Sequence, residues 1–190
     1  MIRGVIFDMD GTITAPYINW RELREKIGAP PGQTIMDFID SLPEERSIWA
    51  NQELLTAEMA AAENAAANEG IFDLLRALSA MGIRLSVVTN NHQAAMKTVL
   101  LRYGLHFDTA LAREDGDIKP SPDLIYKALA GMKLTANEVV TVGDGRYDIE
   151  ACKRAGVRCI YLTHGNPAFE HKPSVTSLSE VLPLIETDLC

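Results

Sequence analysis

At 190 residues the chain is long enough for one well-buried domain, with room for a small appended module. Apolar residues make up 47% and charged residues 23%, an ordinary globular balance, and no apolar run approaches the roughly 18–20 residues of a bilayer-spanning helix, so no membrane partner is expected. The net charge of −8 comes without a Lys/Arg-rich block, which argues against nucleic acid and leaves room for a small anionic ligand offset by local cations.

The N-terminus, M-I-R-G-V-I-F-D, reaches an acid too soon to hold a signal-peptide core, so a cytoplasmic protein is expected. Cys152, Cys159 and Cys190 are odd in number and lack metal-type spacing; they read as small packed thiols.

Arg3–Asp8 reads as a short buried strand ending in an acid. Further β-branched apolar runs follow at Arg84–Thr89, Glu138–Val142 and Val157–Leu162, with a weaker one at Thr109–Ala112. Continuous apolar runs, without in–out alternation, predict strands covered on both faces, as in a parallel sheet. Helical patterns separate them. Ile71–Met81 places Ile71, Leu74, Leu75 and Leu78 on one face and meets Gly82 at its end. Gln93–Tyr103 ends at Gly104, Pro122–Met132 follows a Ser-Pro start, and Tyr147–Ala155 ends at Gly156. The alternation predicts a doubly wound α/β fold with right-handed β-α-β units.

One stretch breaks this rhythm. After Thr14, roughly 55 residues pass without a strand signal, a length hard to sustain as a plain crossover. Helices are expected at Trp20–Lys26, at Thr34–Ser41 and in an Ala-rich segment from about Pro43 to Asn68. The expected organisation is a core of residues 1–14 and 70–190, with residues 15–69 forming a small helical cap inserted after the first strand. Near the C-terminus, S-L-S-E at Ser177–Glu180 has capping-box spacing before a last helix that Pro183 should limit or bend.

In an open parallel sheet the ligand crevice lies beyond the carboxyl ends of the strands. The first strand ends in D-M-D-G-T at Asp8–Thr12, the second in T-N-N at Thr89–Asn91, and the fourth in G-D-G-R-Y-D at Gly143–Asp148. K-P-S-P-D at Lys119–Asp123 precedes the helix before the fourth strand. Four carboxylates, a hydroxyl and a lysine are thus due at one rim. Carboxylates so crowded repel unless a cation lies among them, and hard oxygen donors with a phosphate ligand suit Mg²⁺. Such a carboxylate, aimed at phosphorus, can attack it to give an aspartyl-phosphate. Asp10, two residues on, can reach over to protonate a leaving alcohol and then deprotonate water. Gly11 permits the tight turn between them, and Thr89 and Lys119 offer a hydroxyl and a charge to phosphoryl oxygens.

F-D-M-D-G-T at Phe7–Thr12, V-V-T-N at Val87–Asn90, K-P-S-P-D and G-D-G-R-Y-D resemble, in order, the four motifs of the haloacid-dehalogenase-like (HAD) superfamily. More narrowly they resemble its phosphoglycolate phosphatase and β-phosphoglucomutase-like branch. The resemblance runs from Ile2 to about Leu162 and implies a Rossmann-like core and a Mg²⁺-dependent phosphatase acting on a small phosphorylated metabolite. It implies that Asp8 is nucleophile and Mg²⁺ ligand, and that Asp10 is acid/base and binds the ion through its carbonyl. It further implies that Thr89 and Lys119 hold the phosphate, that Asp144 ligates the ion, and that Asp148 supports it from beside the ligands. Asn90 or Asn91 is expected to cap the next helix and offer N–H groups to the phosphate. A monomer or weak dimer is expected.

Other readings fare less well. A calcium loop opening at Asp8 needs glycine sixth and glutamate twelfth, where Ile13 and Asn19 stand. Singly, Thr89, Lys119, Asp144 and Asp148 are ordinary strand-end, loop, turn and cap residues; their ordered arrival at strand ends outweighs that. Asp123 reads as a first-turn acid, Arg146 as a surface or gating residue, and His92 as a minor candidate for substrate contact. His106, His164 and His171 read as structural or exposed. In the insertion Tyr17, Trp20, Arg24, Arg46 and Trp49 are candidates for touching substrate. A phosphomutase shares the chemistry; a dehalogenase would not need Asp10, and an inactive binding protein would not need the whole motif set.

Overall fold

The computed structural model describes residues 1–187. Its centre is a six-stranded, wholly parallel sheet of β1 (Gly4–Phe7), β2 (Arg84–Val88), β3 (Thr109–Leu111), β4 (Val139–Gly143), β5 (Arg158–Leu162) and β6 (Ser174–Val175), in the order β3-β2-β1-β4-β5-β6. β1 is central, with Gly4–Phe7 in register with Arg84–Val87 on one side and Val139–Val142 on the other. Covered on both faces, β1 and β4 are buried along their whole length, as their unbroken apolar runs require.

The flanking helices are α4 (Ile71–Ala80), α5 (Gln93–Tyr103), α6 (Asp123–Met132), α7 (Arg146–Ala155) and α8 (Val181–Thr187). The sheet separates two hydrophobic cores. One gathers Val5, Phe7, Leu74, Leu78, Val99 and Ile185 on the α4, α5 and α8 face; the other gathers Ile6, Leu124, Ile125, Met132, Cys152 and Cys159 beneath α6 and α7. Cys152 and Cys159 are free, buried thiols, as expected, and Cys190 lies outside the described residues.

Between β1 and β2 the chain forms α1 (Trp20–Ile27), α2 (Ile35–Asp40) and α3 (Glu44–Asn64), which enclose a third core of Leu23, Ile27, Ile35, Ile39, Ala50 and Leu54. Local chemistry sets their ends. Asn19 caps α1 through the Glu22 N–H, Gly28 closes it in the left-handed region, and Thr34 caps α2 through the Asp37 N–H. The long helix stops at Asn64, short of the Asn68 expected from propensity. The backbone there bonds across to the outgoing chain instead, Ala15 N–H to Ala66 O at 2.8 Å and Asn68 N–H to Ile13 O at 2.9 Å. Two crossing segments therefore tie the insertion to the core, and Ala62 of α3 reaches into the first hydrophobic core.

Two other expectations are corrected. β6 was not expected, because two residues carry no readable periodicity; it exists because Tyr161 and Leu162 offer a free edge. Pro183 does not limit α8, because it stands in the first turn, where an N–H has no helical partner to lose. No helix among the described residues is long and apolar enough to cross a membrane.

Candidate active site

The strand order reverses between β1 and β4, the position at which connections leave in opposite directions and open a crevice at the carboxyl ends. Asp8 is the first residue beyond β1 and Asp144 the first beyond β4. The Asp8 N–H still bonds Val142 O at 2.9 Å, so its Cα is held by the sheet. Beyond it Met9 O accepts from the N–H groups of Thr12, Ile13 and Thr14 at 3.2, 2.8 and 3.0 Å. This turn needs the positive φ of 81° at Gly11, and a Cβ there would lie 1.9 Å from Asp144 Oδ2. The glycine therefore serves both the turn and the approach of the two carboxylate-bearing loops.

Carboxylate oxygens of Asp8, Asp144 and Asp148 lie within 4.8 Å of one another. Lys119 Nζ stands beside them, 2.5 Å from Asp8 Oδ1, 2.6 Å from Asp148 Oδ1 and 3.0 Å from Val88 O. Burial alone lowers its pKa, but Asp148 and Asp8 outweigh that and raise it, so Lys119 is a fixed cation. Asn90 orients the lysine by a two-pronged amide pairing with its main chain: Lys119 N–H to Oδ1 at 2.9 Å, and Nδ2–H to Lys119 O at 2.8 Å. Asp148 also accepts from the Gly145 N–H at 3.0 Å, closing the start of α7.

One cation does not neutralise two buried acids and a partly buried third. Burial, then Asp148, pushes the Asp144 carboxyl up to about 7. Asp8 is raised by burial and by its two acidic neighbours, against the pull of Lys119. Asp10 stands apart, raised by burial but held by a 2.5 Å hydrogen bond from Asn91 Nδ2. A cluster of hard oxygen donors with excess negative charge fits a small divalent cation such as Mg²⁺.

A pH dependence follows. An acid titrating near 7 when folded and near 3.8 when unfolded keeps its proton better in the folded chain, so stability falls as pH rises from about 4 towards 7. Melts without metal are expected to show this slope, Asp144→Asn to flatten it, and Mg²⁺ to restore stability chiefly at the alkaline end. Identical slopes in both proteins would refute the assignment.

The crevice opens into a cleft of about 770 Å³ between sheet and insertion. Its core wall carries Asp8, Asp10, Thr89, Asn90, Lys119, Asp144, Arg146 and Asp148, so every residue expected at the rim is there. The opposite wall includes Tyr17, Trp20 and Arg24, whose guanidinium bonds Pro30 O at 3.1 Å and Gln33 O at 2.9 Å. Arg46 and Trp49 are instead exposed residues of α3, away from this wall among the described residues. The cap of α5 is His92, whose Nδ1 accepts the Ala94 N–H at 3.1 Å, and neither Asn90 nor Asn91. Both asparagine side chains are drawn off, to Lys119 and Asp10. Asp123 is a first-turn acid of α6 paired with Lys127. His164 Nε2 lies 2.7 Å from Gly11 O, steadying the Asp10 turn from outside.

Two site residues had no sequence signal. Glu58, one acid within an Ala-rich helix, is buried at the cleft and paired with Arg113 of the turn after β3.

Fold and site together define an α/β protein with a metal-competent carboxylate cluster at the switch point of its sheet. The model of the haloacid dehalogenase-like hydrolase family matches residues 14–162, and the chain belongs to that family. An uncharacterized hydrolase of Saccharomyces cerevisiae is 30% identical over 97% of this chain and 91% of its own length. A phosphoglycolate phosphatase of Pectobacterium atrosepticum is 27% identical over 97% of this chain and 92% of its own. Among solved structures, a β-phosphoglucomutase of Clostridium difficile superposes with a TM-score of 0.79 at 20% identity, covering 98% of this chain and 96% of that one, which shows the shared fold.

Proposed function

We propose that the protein is a Mg²⁺-dependent phosphatase that hydrolyses a small phosphomonoester through an aspartyl-phosphate on Asp8. The observation that carries this is the meeting, at one switch point, of the Asp8–Asp144–Asp148 cluster, the buried Lys119 and the separately held Asp10. Asp8, Asp144 and the Asp10 carbonyl would hold the ion, with Asp148 beside them. When bound, Mg²⁺ supplies positive charge to the carboxylates and the phosphoryl oxygens.

Asp8 attacks phosphorus through its carboxylate, and the ester oxygen departs. Asp10 gives that oxygen its proton, then takes one from the water that hydrolyses the acyl-phosphate. Burial shifts its pKa upward, the direction that favours the protonated form used in the first transfer. Thr89 Oγ1 accepts from the Asn91 N–H at 3.1 Å, leaving its hydroxyl proton for a phosphoryl oxygen. Asn90 contributes by aligning Lys119. The three N–H donors of that lysine already meet Asp8, Asp148 and Val88 O, so it acts on the phosphoryl group through its charge. Residues 15–69 act as a cap that excludes water and selects the leaving group, with Tyr17, Trp20 and Arg24 facing it.

A phosphate-release screen across phosphorylated metabolites, with Mg²⁺ and with a chelator, tests this reading. Release on at least one small ester, lost with the chelator, is the expected result. Inactivity throughout would favour a binding role, and phosphate kept on a sugar product would favour the mutase chemistry.

A further inference from the structure

Glu58 lies in α3 of the insertion, yet its side chain is 2% exposed and its carboxylate bonds to His92 and Arg113 of the core. Arg113 meets it in a fork, Nη1 at 2.8 Å from Oε1 and Nη2 at 3.3 Å from Oε2, and the His92 N–H donates to Oε2 at 2.9 Å. A pair so enclosed is an unpromising source of stability, because desolvation of both ions offsets most of their attraction.

What it touches gives it another use. The Arg113 N–H donates to Asn91 O at 3.0 Å, and its guanidinium reaches Asn90 O at 3.4 Å. Asn91 in turn donates to Asp10, and Asn90 grips Lys119. An unbroken chain of polar contacts thus runs from a helix of the insertion to the carboxylate proposed to move protons. Asp10 itself lies on the turn that leads out to the insertion, bridged with Thr14, which pairs with Ala67 on the way back.

We propose that Glu58 and Arg113 are positioning residues, a latch through which seating of the helical insertion aligns Asp10 for proton transfer to the leaving group. The inference rests on the acid/base reading of Asp10. It separates two halves of the site: Asp8 and Asp144 are set by the ends of β1 and β4 and Asp148 by the first turn of α7, whereas Asp10 is aligned only when α3 is docked. An open insertion would then hold the nucleophile ready but the acid misplaced, so protonation waits for a substrate that draws the insertion down.

The test compares phenyl phosphate with p-nitrophenyl phosphate, which differ little in size but greatly in their need for a proton on the leaving oxygen. In the wild type, kcat/KM for the two should be similar. In Asp10→Asn, phenyl phosphate should lose far more than p-nitrophenyl phosphate, at the scale of about 10²-fold or more that general acid catalysis contributes. Glu58→Gln and Arg113→Lys should show the same bias, roughly tenfold, a partial loss of that effect. If burying one unpaired charge prevents Glu58→Gln from folding, Glu58→Gln/Arg113→Gln removes both charges and is expected to show the bias. Equal losses on both esters, or none, in folded variants would overturn the latch while leaving Asp10 intact. Absence of bias in Asp10→Asn itself would overturn the acid/base reading, and the latch with it.

Discussion

Asp8→Asn is expected to reduce phosphate release by at least about 10³-fold, the scale on which losing a covalent nucleophile is felt. The carboxamide fills the same space, but its neutral oxygen is too weak a nucleophile to form an acyl-phosphate. The substitution should not unfold the chain. Asp8 is an acid strained by burial and by two acidic neighbours, and Lys119 keeps its bond to Asp148. Removing one charge from that group relieves repulsion, so the metal-free variant should melt at or above the wild-type temperature. Phosphate release and a thermal melt on one preparation check both halves. Undiminished release by the variant would exclude Asp8 as the attacking group.

Lys119→Met carries the largest expected effect on stability. The methionine fills the aliphatic volume but leaves Asp8 and Asp148 with no buried cation. Breaking a buried ionic group by removing one partner costs about 3–5 kcal/mol. For a domain of this size each kcal/mol shifts the melting temperature by about 2–4 °C, so a fall on the order of 10 °C is expected without metal. The loss should grow with pH, because each carboxyl that ionises now lacks a partner. Mg²⁺ should recover part of it, and should stabilise the variant more than the wild type. A metal-free melt within a degree or two of wild type would show that the ammonium does not neutralise the site.

The insertion shows where sequence reasoning meets its range. Its first two helices could be read because their ends are local: an asparagine, a threonine and a glycine each act on backbone groups within a turn or two. The last turns of α3 could not, because an Ala-rich run favours helix and only the outgoing chain, some fifty residues earlier, offers the competing partners. The helix cap after β2 went astray for a related reason. Asparagine is the better capping residue in isolation, but Asn91 finds a carboxylate at 2.5 Å and leaves the task to His92.

Most of the candidate site was legible in the chain itself. A parallel strand places whatever follows it at the carboxyl edge of the sheet, so Asp8, Thr89 and Asp144 were bound to a common rim once their strands were recognised. Their residue types then implied a cation and a phosphate. The tertiary structure decided what is done with the neighbours: Asn90 turned towards the lysine, Asn91 towards Asp10, and Glu58 and Arg113 brought together across 55 residues into the contact between insertion and core. The reason is range. Propensity, periodicity and capping act over a few residues, whereas a buried charge takes its partner from whichever element packs against it.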